Sequence, residues 1–121
     1  SRVSANLRRL LAELIAREVK DPRVSTITIT DVEVTGDLRE ARVFFSHPGD
    51  QTQDREILAG LNRASGFLRR EVGRRIQMRV TPSLDFRIDR SLAYGARIDQ
   101  IFKDLEQENA KADDDGSSEE Q

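Results

Sequence analysis

Arginine side chains spaced along one helical segment are the clearest chemical feature of this sequence. Residues 63–75, RASGFLRREVGRR, contain five arginines, two glycines and a single acid, Glu71. A guanidinium presents a planar fork of N–H donors that matches phosphate oxygens. A segment with only one acid also lacks the alternating ion pairs of a helix face that is charged only for solubility. We therefore interpret this stretch as a surface that binds nucleic acid rather than as a solvated charged helix.

Two glycines on the same helical face support this interpretation. Gly66 and Gly73 each cost about 1 kcal/mol against alanine inside a helix, so they favour a kink, a cap or close approach of a partner's backbone. A break at Ser65-Gly66 would begin a second helix, whose free N–H groups attract phosphate. The candidate nucleic-acid-binding residues are Arg63, Ala64, Ser65, Gly66, Arg69, Arg70, Gly73, Arg74, Arg75 and Arg79.

Side chains suited to catalysis or metal binding are sparse. His47 is the sole histidine and has no cysteine or clustered carboxylate near it in the sequence, so it is interpreted as a surface residue. Asp85 and Asp89 would share one face of a strand with Arg87 between them, which favours cross-strand ion pairing over a metal site. No catalytic residue, metal ion or cofactor is therefore expected.

Length and charge are typical of a single domain with a polyanionic partner. The chain has 121 residues and no cysteine, which excludes disulfides and thiolate metal sites. No apolar run is long enough to span a bilayer, and no signal segment opens the chain, so a soluble cytoplasmic protein is expected. The net charge of −2 divides into +5 for residues 1–97 and −7 for residues 98–121. Residues 108–121 are expected to form an acidic, disordered tail.

Apolar periodicity predicts the elements of the first half of the chain. Residues 3–20 form an amphipathic helix, and a strand follows over residues 24–35 with a bulge near Thr30-Asp31. A turn at Gly36-Asp37 leads into a second, antiparallel strand. That strand turns Ala41, Val43 and Phe45 toward the core. The polar side of the first helix is interpreted as solvent-exposed rather than as a contact surface; it carries Asn6, Arg9, Glu13, Arg17 and Lys20.

The second half is expected to complete an α+β domain. Asp54 caps a helix that is expected to form two segments with a kink at Ser65-Gly66. A third strand follows within residues 78–89, and the pattern leaves its direction open. A last helix is expected over about residues 91–107. The expected fold is a three-stranded sheet with its helices on one face.

The order of these elements is that of the bacterial type of KH domain, type II, in which a GxxG loop between two helices clamps a nucleic-acid backbone. Ala64-Ser65-Gly66 stands in place of GxxG, and this AxG junction resembles the ribosome-binding factor A family. The resemblance covers about residues 3–105 and excludes the acidic tail. The matching stretches are DPR at 21–23, TDVEVTGDLREARVFF at 30–45, NRASGFLRREVGRRI at 62–76 and RVTPSLDFRIDRSLAYGARID at 79–99.

The resemblance implies a bacterial protein without catalytic activity that assists assembly of the small ribosomal subunit. Its expected partners are the free 30S subunit and 16S rRNA, and the family supports rRNA maturation near the 5′ end and growth in the cold. No membrane, small-molecule substrate or cofactor is expected, and the chain is expected to be a monomer with one KH-like domain over residues 1–107. Because Ala64 narrows the approach that a first glycine would permit, structured rRNA is favoured over single strands. The alternative left open is a protein-interaction adaptor whose arginine face docks an acidic partner.

Overall fold

A computed structural model describes residues 2–91 and 99–109 of the 121-residue chain. The chain forms two compact units, residues 1–89 and 90–121. The first unit contains the sheet, the helices around it and the arginine-rich segment. Its helices and strands are α1 (Arg2–Arg17), α2 (Pro22–Ser25), β1 (Thr28–Val34), β2 (Glu40–Ser46), α3 (Asp54–Arg75) and β3 (Ser83–Ile88), with a 3₁₀ turn at Gln51–Gln53 before α3.

The first helix ends earlier than predicted. α1 stops at Arg17 rather than at residue 20. The N–H groups of Glu18 and Val19 both donate to the carbonyl oxygen of Leu14, at 2.8 and 3.2 Å, and close the last turn. The predicted apolar stripe is confirmed, since its central side chains are buried; they are Leu7, Leu11, Leu14 and Ile15.

A short helix replaces the predicted beginning of the first strand. α2 begins where the Asp21 carboxylate accepts a hydrogen bond from the Arg23 N–H at 3.1 Å, with Pro22 in the first helical position. Both features start helices, because the side chain satisfies a free N–H and proline has no N–H to leave unpaired. Val24 is therefore a buried residue of α2, and β1 begins only at Thr28.

The predicted hairpin and its bulge are confirmed. β1 pairs with β2 in antiparallel fashion, and the register shifts between Ile29 and Asp31. The extra residue at this point moves the buried positions of β1 to the other parity, as the sequence pattern indicated. In the connecting turn, Leu38 takes the left-handed conformation with φ 62°, and its N–H donates to the Thr35 carbonyl oxygen at 2.9 Å.

The third strand lies beside β2 and runs parallel to it. Ala41 pairs with Leu84 and Val43 with Phe86, so the sheet order is β1-β2-β3. Parallel neighbours need a crossover between them, and α3 supplies it. β3 is shorter than the predicted range of residues 78–89, and Pro82 precedes its first residue.

The core lies between the sheet and the helices on one of its faces. α1 packs against β1, and α3 packs against β3. The predicted inward residues of β2 are buried completely, and the sheet presents their alternating neighbours on the other face. The expected α+β arrangement is thus confirmed. The buried apolar residues are Leu7, Leu11, Leu14, Ile15, Val24, Ile29, Val32, Ala41, Val43, Phe45, Ile57, Leu61, Leu68, Val72 and Phe86.

The prediction of two helical segments around Ser65-Gly66 is wrong. α3 is helical without interruption from Asp54 to Arg75, and Gly66 and Gly73 lie inside it. Its buried side chains continue past Gly66 in a single stripe, so packing against the core outweighs the roughly 1 kcal/mol that each glycine costs. Ser65 is accommodated because its hydroxyl donates to the Asn62 carbonyl oxygen at 2.7 Å.

The C-terminal part of the chain is described only in part. Residue 91 is helical, and so are residues 99–109, which continue past the predicted helix end at about residue 107. Residues 92–98 of the predicted helix and residues 110–121 of the predicted acidic tail lie outside the described residues. None of the helices in the described ranges is long and apolar enough to cross a membrane.

Candidate nucleic-acid interface

The apolar stripe of α3 fixes which side chains face outward. Leu61, Leu68 and Val72 are buried against the core, and their positions leave the opposite side of the helix open to solvent. The residues on that open side fall between the buried positions and form a second stripe, out of phase with the apolar one. Arg63, Gly66, Arg69, Arg70, Gly73 and Arg74 are all exposed there.

Five of the predicted site residues line one groove, called here the arginine groove. It has a volume of about 510 Å³ and lies between α3 and Thr81, in the segment that leads to β3. Its α3 residues are Gly66, Arg69, Arg70, Gly73 and Arg74. Arg63, Ala64, Ser65, Arg75 and Arg79 do not line it. Thr81 was not among the predicted site residues.

The two glycines of the groove have different explanations. A Cβ atom on Gly73 would lie 2.9 Å from the Thr81 hydroxyl oxygen, so glycine lets the chain before β3 approach the helix. A Cβ atom on Gly66 would meet no other atom within 4 Å. Packing inside the described protein therefore explains Gly73 and gives no reason for Gly66. The structure leaves room at Gly66 for a partner.

Arg69 holds the far wall of the groove. Its Nε donates to the Pro82 carbonyl oxygen at 3.2 Å, and its Nη2 donates to the Thr81 carbonyl oxygen at the same distance. These bonds satisfy two backbone acceptors just before β3 begins. The guanidinium of Arg69 thus positions the chain opposite α3, and its Nε and Nη2 already donate hydrogen bonds within the protein.

A buried acid organises the end of α3. Glu71 is only 8% exposed, and its carboxylate accepts from Arg74 at 3.0 Å and from Arg75 at 3.3 Å. Arg75 also donates to Glu18 at 3.1 Å, and this hydrogen bond raises the pKa of the Arg75 guanidinium above its usual value. Arg75 is therefore held at the protein surface between two acids, whereas Arg74 keeps a side chain that is 73% exposed.

The remaining arginines are the least constrained. Arg70 and Arg79 are exposed, and their guanidinium groups make no hydrogen bond or ion pair with any residue the structure describes. Arg63 is 66% exposed, and its one ion pair, with Asp21, is long at 3.8 Å. Exposed pairs of this kind contribute at most about 1 kcal/mol and exchange readily for a stronger anion. Arg63, Arg70, Arg74 and Arg79 can therefore meet phosphate without breaking the fold.

A second groove, called here the α1 groove, joins the start of the chain to the end of α3. It has a volume of about 500 Å³ and is lined by Asn6, Arg9, Leu10, Glu13, Arg75, Ile76 and Gln77. The polar side of α1 was predicted to be plain solvent-exposed surface. No local sequence signal could have revealed this groove, because its two walls are far apart in the chain.

Comparison with known proteins identifies the family that shares this fold. The family model for ribosome-binding factor A matches residues 1–102. The chain belongs to the ribosome-binding factor A family. A ribosome-binding factor A from Azoarcus sp. (strain BH72) is 51% identical over 108 residues, which cover 89% of this chain and 86% of that protein.

Solved structures of ribosome-binding factor A share the fold. The crystal structure of the Thermus thermophilus protein is 30% identical with a TM-score of 0.66, and the match covers 74% of this chain and 96% of that one. A homology model of Thermus thermophilus ribosome-binding factor A, fitted into the cryo-EM map of a 30S–RbfA complex, is 31% identical with a TM-score of 0.60. That match covers 72% of this chain and 91% of the fitted one.

The side chain of His47 is covered although the residue as a whole is partly exposed, so its interpretation as a surface residue is wrong for the imidazole. Its side chain is 5% exposed, and its Nε2 lies 2.7 Å from the Asp54 carboxylate oxygen. Asp54 therefore pairs with His47, and the helix cap at Gln53 provides no side-chain hydrogen bond. No local pattern indicated this pair, because the connection to α3 had to fold back before the two residues could meet.

The other candidate for metal or acid chemistry separates into two different contacts. Arg87 binds Asp85 of its own strand, with Nη2 and the carboxylate oxygen 2.9 Å apart, rather than an acid across the sheet. Asp89 instead accepts a hydrogen bond from the Thr30 hydroxyl. In residues 2–91 and 99–109, no group of three or more His, Asp or Glu side chains could hold a metal ion.

Proposed function

We propose that this chain is a non-enzymatic assembly factor that binds the free 30S subunit through 16S rRNA. Membership of the ribosome-binding factor A family supports a ribosomal partner, and a relative has been fitted into a 30S–RbfA complex. On this proposal the chain acts as a monomer in the bacterial cytoplasm, supports 16S rRNA maturation near the 5′ end, and matters most for growth in the cold.

The arginine groove is the observation that carries the proposal. It places the exposed side chains of Arg70 and Arg74 one and two helical turns after Gly66, a helix position that has no side chain, in the same groove. Guanidinium groups bind phosphate in a planar, two-pronged fashion. The open space at Gly66 lets the sugar–phosphate backbone come close to α3. Arg63 and Arg79 extend the same basic surface.

Structured rRNA fits this surface better than a gripped single strand does. In a KH domain the GxxG loop offers backbone N–H groups to the nucleic acid. Here Ala64, Ser65 and Gly66 lie within an unbroken helix, and Ala64 packs against the core. The groups available to bind RNA phosphates are therefore side-chain guanidinium groups and not backbone N–H groups. Contacts of this kind position a protein on RNA and depend on the shape of its backbone.

Salt dependence of binding to 30S particles tests the proposal. Replacing Arg70 and Arg74 together by glutamine should flatten the plot of log affinity against log salt, by about 0.7 to 0.9 for each phosphate that is no longer bound. The matched control replaces Arg42 and Arg87, two arginines of the open sheet face, and should leave the slope unchanged. Equal slopes for the wild type and the groove variant would show that this surface does not bind rRNA.

Nuclease treatment separates this function from that of a protein adaptor. An rRNA-binding factor should lose its associated particles when the RNA is digested. An adaptor that docks an acidic protein through the same arginines would keep its partner after digestion, and that result would overturn the proposed function.

A further inference from the structure

We infer that the α1 groove binds one unpaired rRNA base, with guanine as the preferred base. This inference rests on the proposed function, because it assumes that the chain binds rRNA. In this proposal the arginine groove binds phosphates, and the α1 groove recognises a base. Contacts to phosphate position a nucleic acid, whereas contacts to base edges specify it.

The floor of the α1 groove is apolar and belongs to the edge of the core. Leu10 of α1 and Ile76 at the end of α3 are half-buried, and both pack against the core cluster while lining the groove. An aliphatic floor suits the face of a base, which in folded RNA is stacked on its neighbours and needs an apolar surface when it is turned out. The groove volume of about 500 Å³ is within the range of small-ligand sites.

The rim carries the groups that recognise base edges. Asn6 and Gln77 place two exposed amides at the groove, one from each wall, and an amide both donates and accepts hydrogen bonds. Arg9 adds guanidinium donors, and it makes no hydrogen bond or ion pair with another residue in the described ranges. Arg75 is the fixed part of the rim, since Glu18 and Glu71 hold its guanidinium.

The negative charge of Glu13 favours a base over a phosphate as the ligand of the α1 groove. Its carboxylate would repel a phosphate, whereas an uncharged base offers N–H groups that a carboxylate accepts. Its ion-pair partner in α1, Arg17, stands 3.6 Å away, and the two side chains are 49% and 77% exposed. A contact of this kind is weak enough to yield to a ligand. The groove is therefore built for a neutral group with N–H donors.

Guanine matches this set of groups best among the four bases. Its N1–H and N2–H₂ are adjacent donors that a single carboxylate can accept together, and its O6 can accept from Arg9 or an amide. Uracil offers one N–H, and adenine and cytosine offer one amino group each. In a duplex these groups pair with the opposite strand, so the base must come from a loop, bulge or single-stranded end.

The test measures binding of short single-stranded oligouridines that carry one central guanosine, adenosine or cytidine. The wild-type chain should prefer guanosine by about fivefold or more, as expected for a two-pronged contact. Glu13→Gln should remove this preference, because the amide cannot accept from both guanine donors, and should leave the salt slope unchanged. Asn6→Ala should weaken the preference. Glu33→Gln removes the same charge from β1 outside the groove and should keep the preference intact.

The outcomes separate this inference from the proposed function. Equal affinity for the three oligonucleotides, or a guanosine preference that survives Glu13→Gln, would overturn the base site. If Glu13→Gln instead steepens the salt dependence or strengthens binding of all oligonucleotides alike, the groove binds phosphate and the inference is wrong. A guanosine preference together with an unchanged salt slope in the Arg70 and Arg74 double variant would overturn the phosphate surface and retain the base site.

Discussion

Arginines of α3 differ in what their guanidinium groups already bind. Arg69 donates to two backbone carbonyl oxygens, and Arg75 is shared between Glu18 and Glu71, so both stabilise the protein itself. Arg70 and Arg74 keep exposed side chains in the same groove. The arginines look equivalent in the sequence because the partners of Arg69 and Arg75 lie elsewhere in the chain. Their roles are therefore assigned by contacts and not by residue type.

Gly66 and Gly73 should respond oppositely to alanine. Gly66→Ala should raise the free energy of unfolding by about 1 kcal/mol, because alanine favours the helix and its Cβ meets open space. Gly73→Ala should destabilise, because its Cβ would lie 2.9 Å from the Thr81 hydroxyl oxygen. Urea unfolding measures both changes.

RNA binding by the Gly66→Ala variant tests the function of the open space at Gly66. Gly66→Ala should weaken rRNA binding in spite of the added stability, since the methyl group stands where the backbone of the RNA approaches. If Gly66→Ala binds 30S particles as tightly as the wild type, the glycine does not serve close approach.

Arg69 is expected to act on the groove through the chain before β3. Arg69→Gln should loosen the segment around Thr81 and Pro82, which would show as faster hydrogen exchange of the Thr81 and Ser83 amides, and it should leave the salt slope of rRNA binding nearly unchanged. Arg70→Gln is the matched control and should lower the slope while leaving exchange as it is. A drop in slope equal to that of Arg70→Gln would mean that Arg69 contacts phosphate directly.

The helices and strands show where a sequence pattern is a good guide and where it is not. The periodicity of Leu61, Leu68 and Val72 predicted α3 correctly, and the parity change in β1 predicted its bulge. The break in α3 was predicted wrongly, because helix propensity gives the cost of a glycine and not the packing that outweighs it. The first strand was predicted to begin at residue 24, although Asp21-Pro22 begins α2 and places Val24 inside that helix. A short helix of four residues has no apolar periodicity that would distinguish it from the start of a strand.

The turn between β1 and β2 should make stability depend on pH. The Thr35 hydroxyl and then the Arg39 N–H donate to the Asp37 carboxylate, at 2.7 and 3.1 Å, and these bonds hold its pKa below the usual value. A lowered pKa means that the stabilisation is present above about pH 4 and is lost as the pH falls through the folded-state pKa. Asp37→Asn should therefore unfold more easily than the wild type at pH 7.

The difference in the free energy of unfolding between the wild type and Asp37→Asn should shrink as the pH falls below about 4, since the carboxyl group of Asp37 in the wild type becomes neutral as well. Urea midpoints measured between pH 2 and pH 7 test this. A gap of constant size across that range would show that the amide disturbs the turn for reasons other than charge.

At the scale of the whole molecule, the sequence predicted the fold class and the order of α1, the three strands and the helical region between β2 and β3, but it missed α2 and the continuity of α3. It could not predict sites whose walls come from distant segments. The α1 groove needs Asn6 next to Gln77, and the burial of His47 needs its contact with Asp54. Both features result from the way the elements pack against one another, and local periodicity gives no information on that packing. The family resemblance predicted the fold and the role. It gave no information on which arginine side chains already bind other groups of the protein.

Removal of the acidic C-terminal residues tests whether they contribute to the fold. All buried apolar residues of the described core lie between Leu7 and Phe86. Deleting residues 108–121 should therefore change the free energy of unfolding by less than about 0.5 kcal/mol, as for surface changes away from the core. Thermal and urea unfolding of the shortened chain measure this. A large loss of stability would show that residues 1–107 are not an independent domain.

The parallel pairing of β2 with β3 has a consequence for the order of folding. β2 meets β1 through a short turn, but Ala41 meets Leu84 only after the whole of α3 has been made, so the last strand closes the longest loop in the sheet. Thr81 reaches Gly73, and Arg69 reaches its two carbonyl acceptors, only when that loop closes. During synthesis, a chain that has emerged no further than α3 carries every arginine of the helix and still lacks the groove. The surface proposed to bind rRNA is thus one of the last parts of the molecule to form, and a nascent or partly unfolded chain should have a weaker hold on the ribosomal particle.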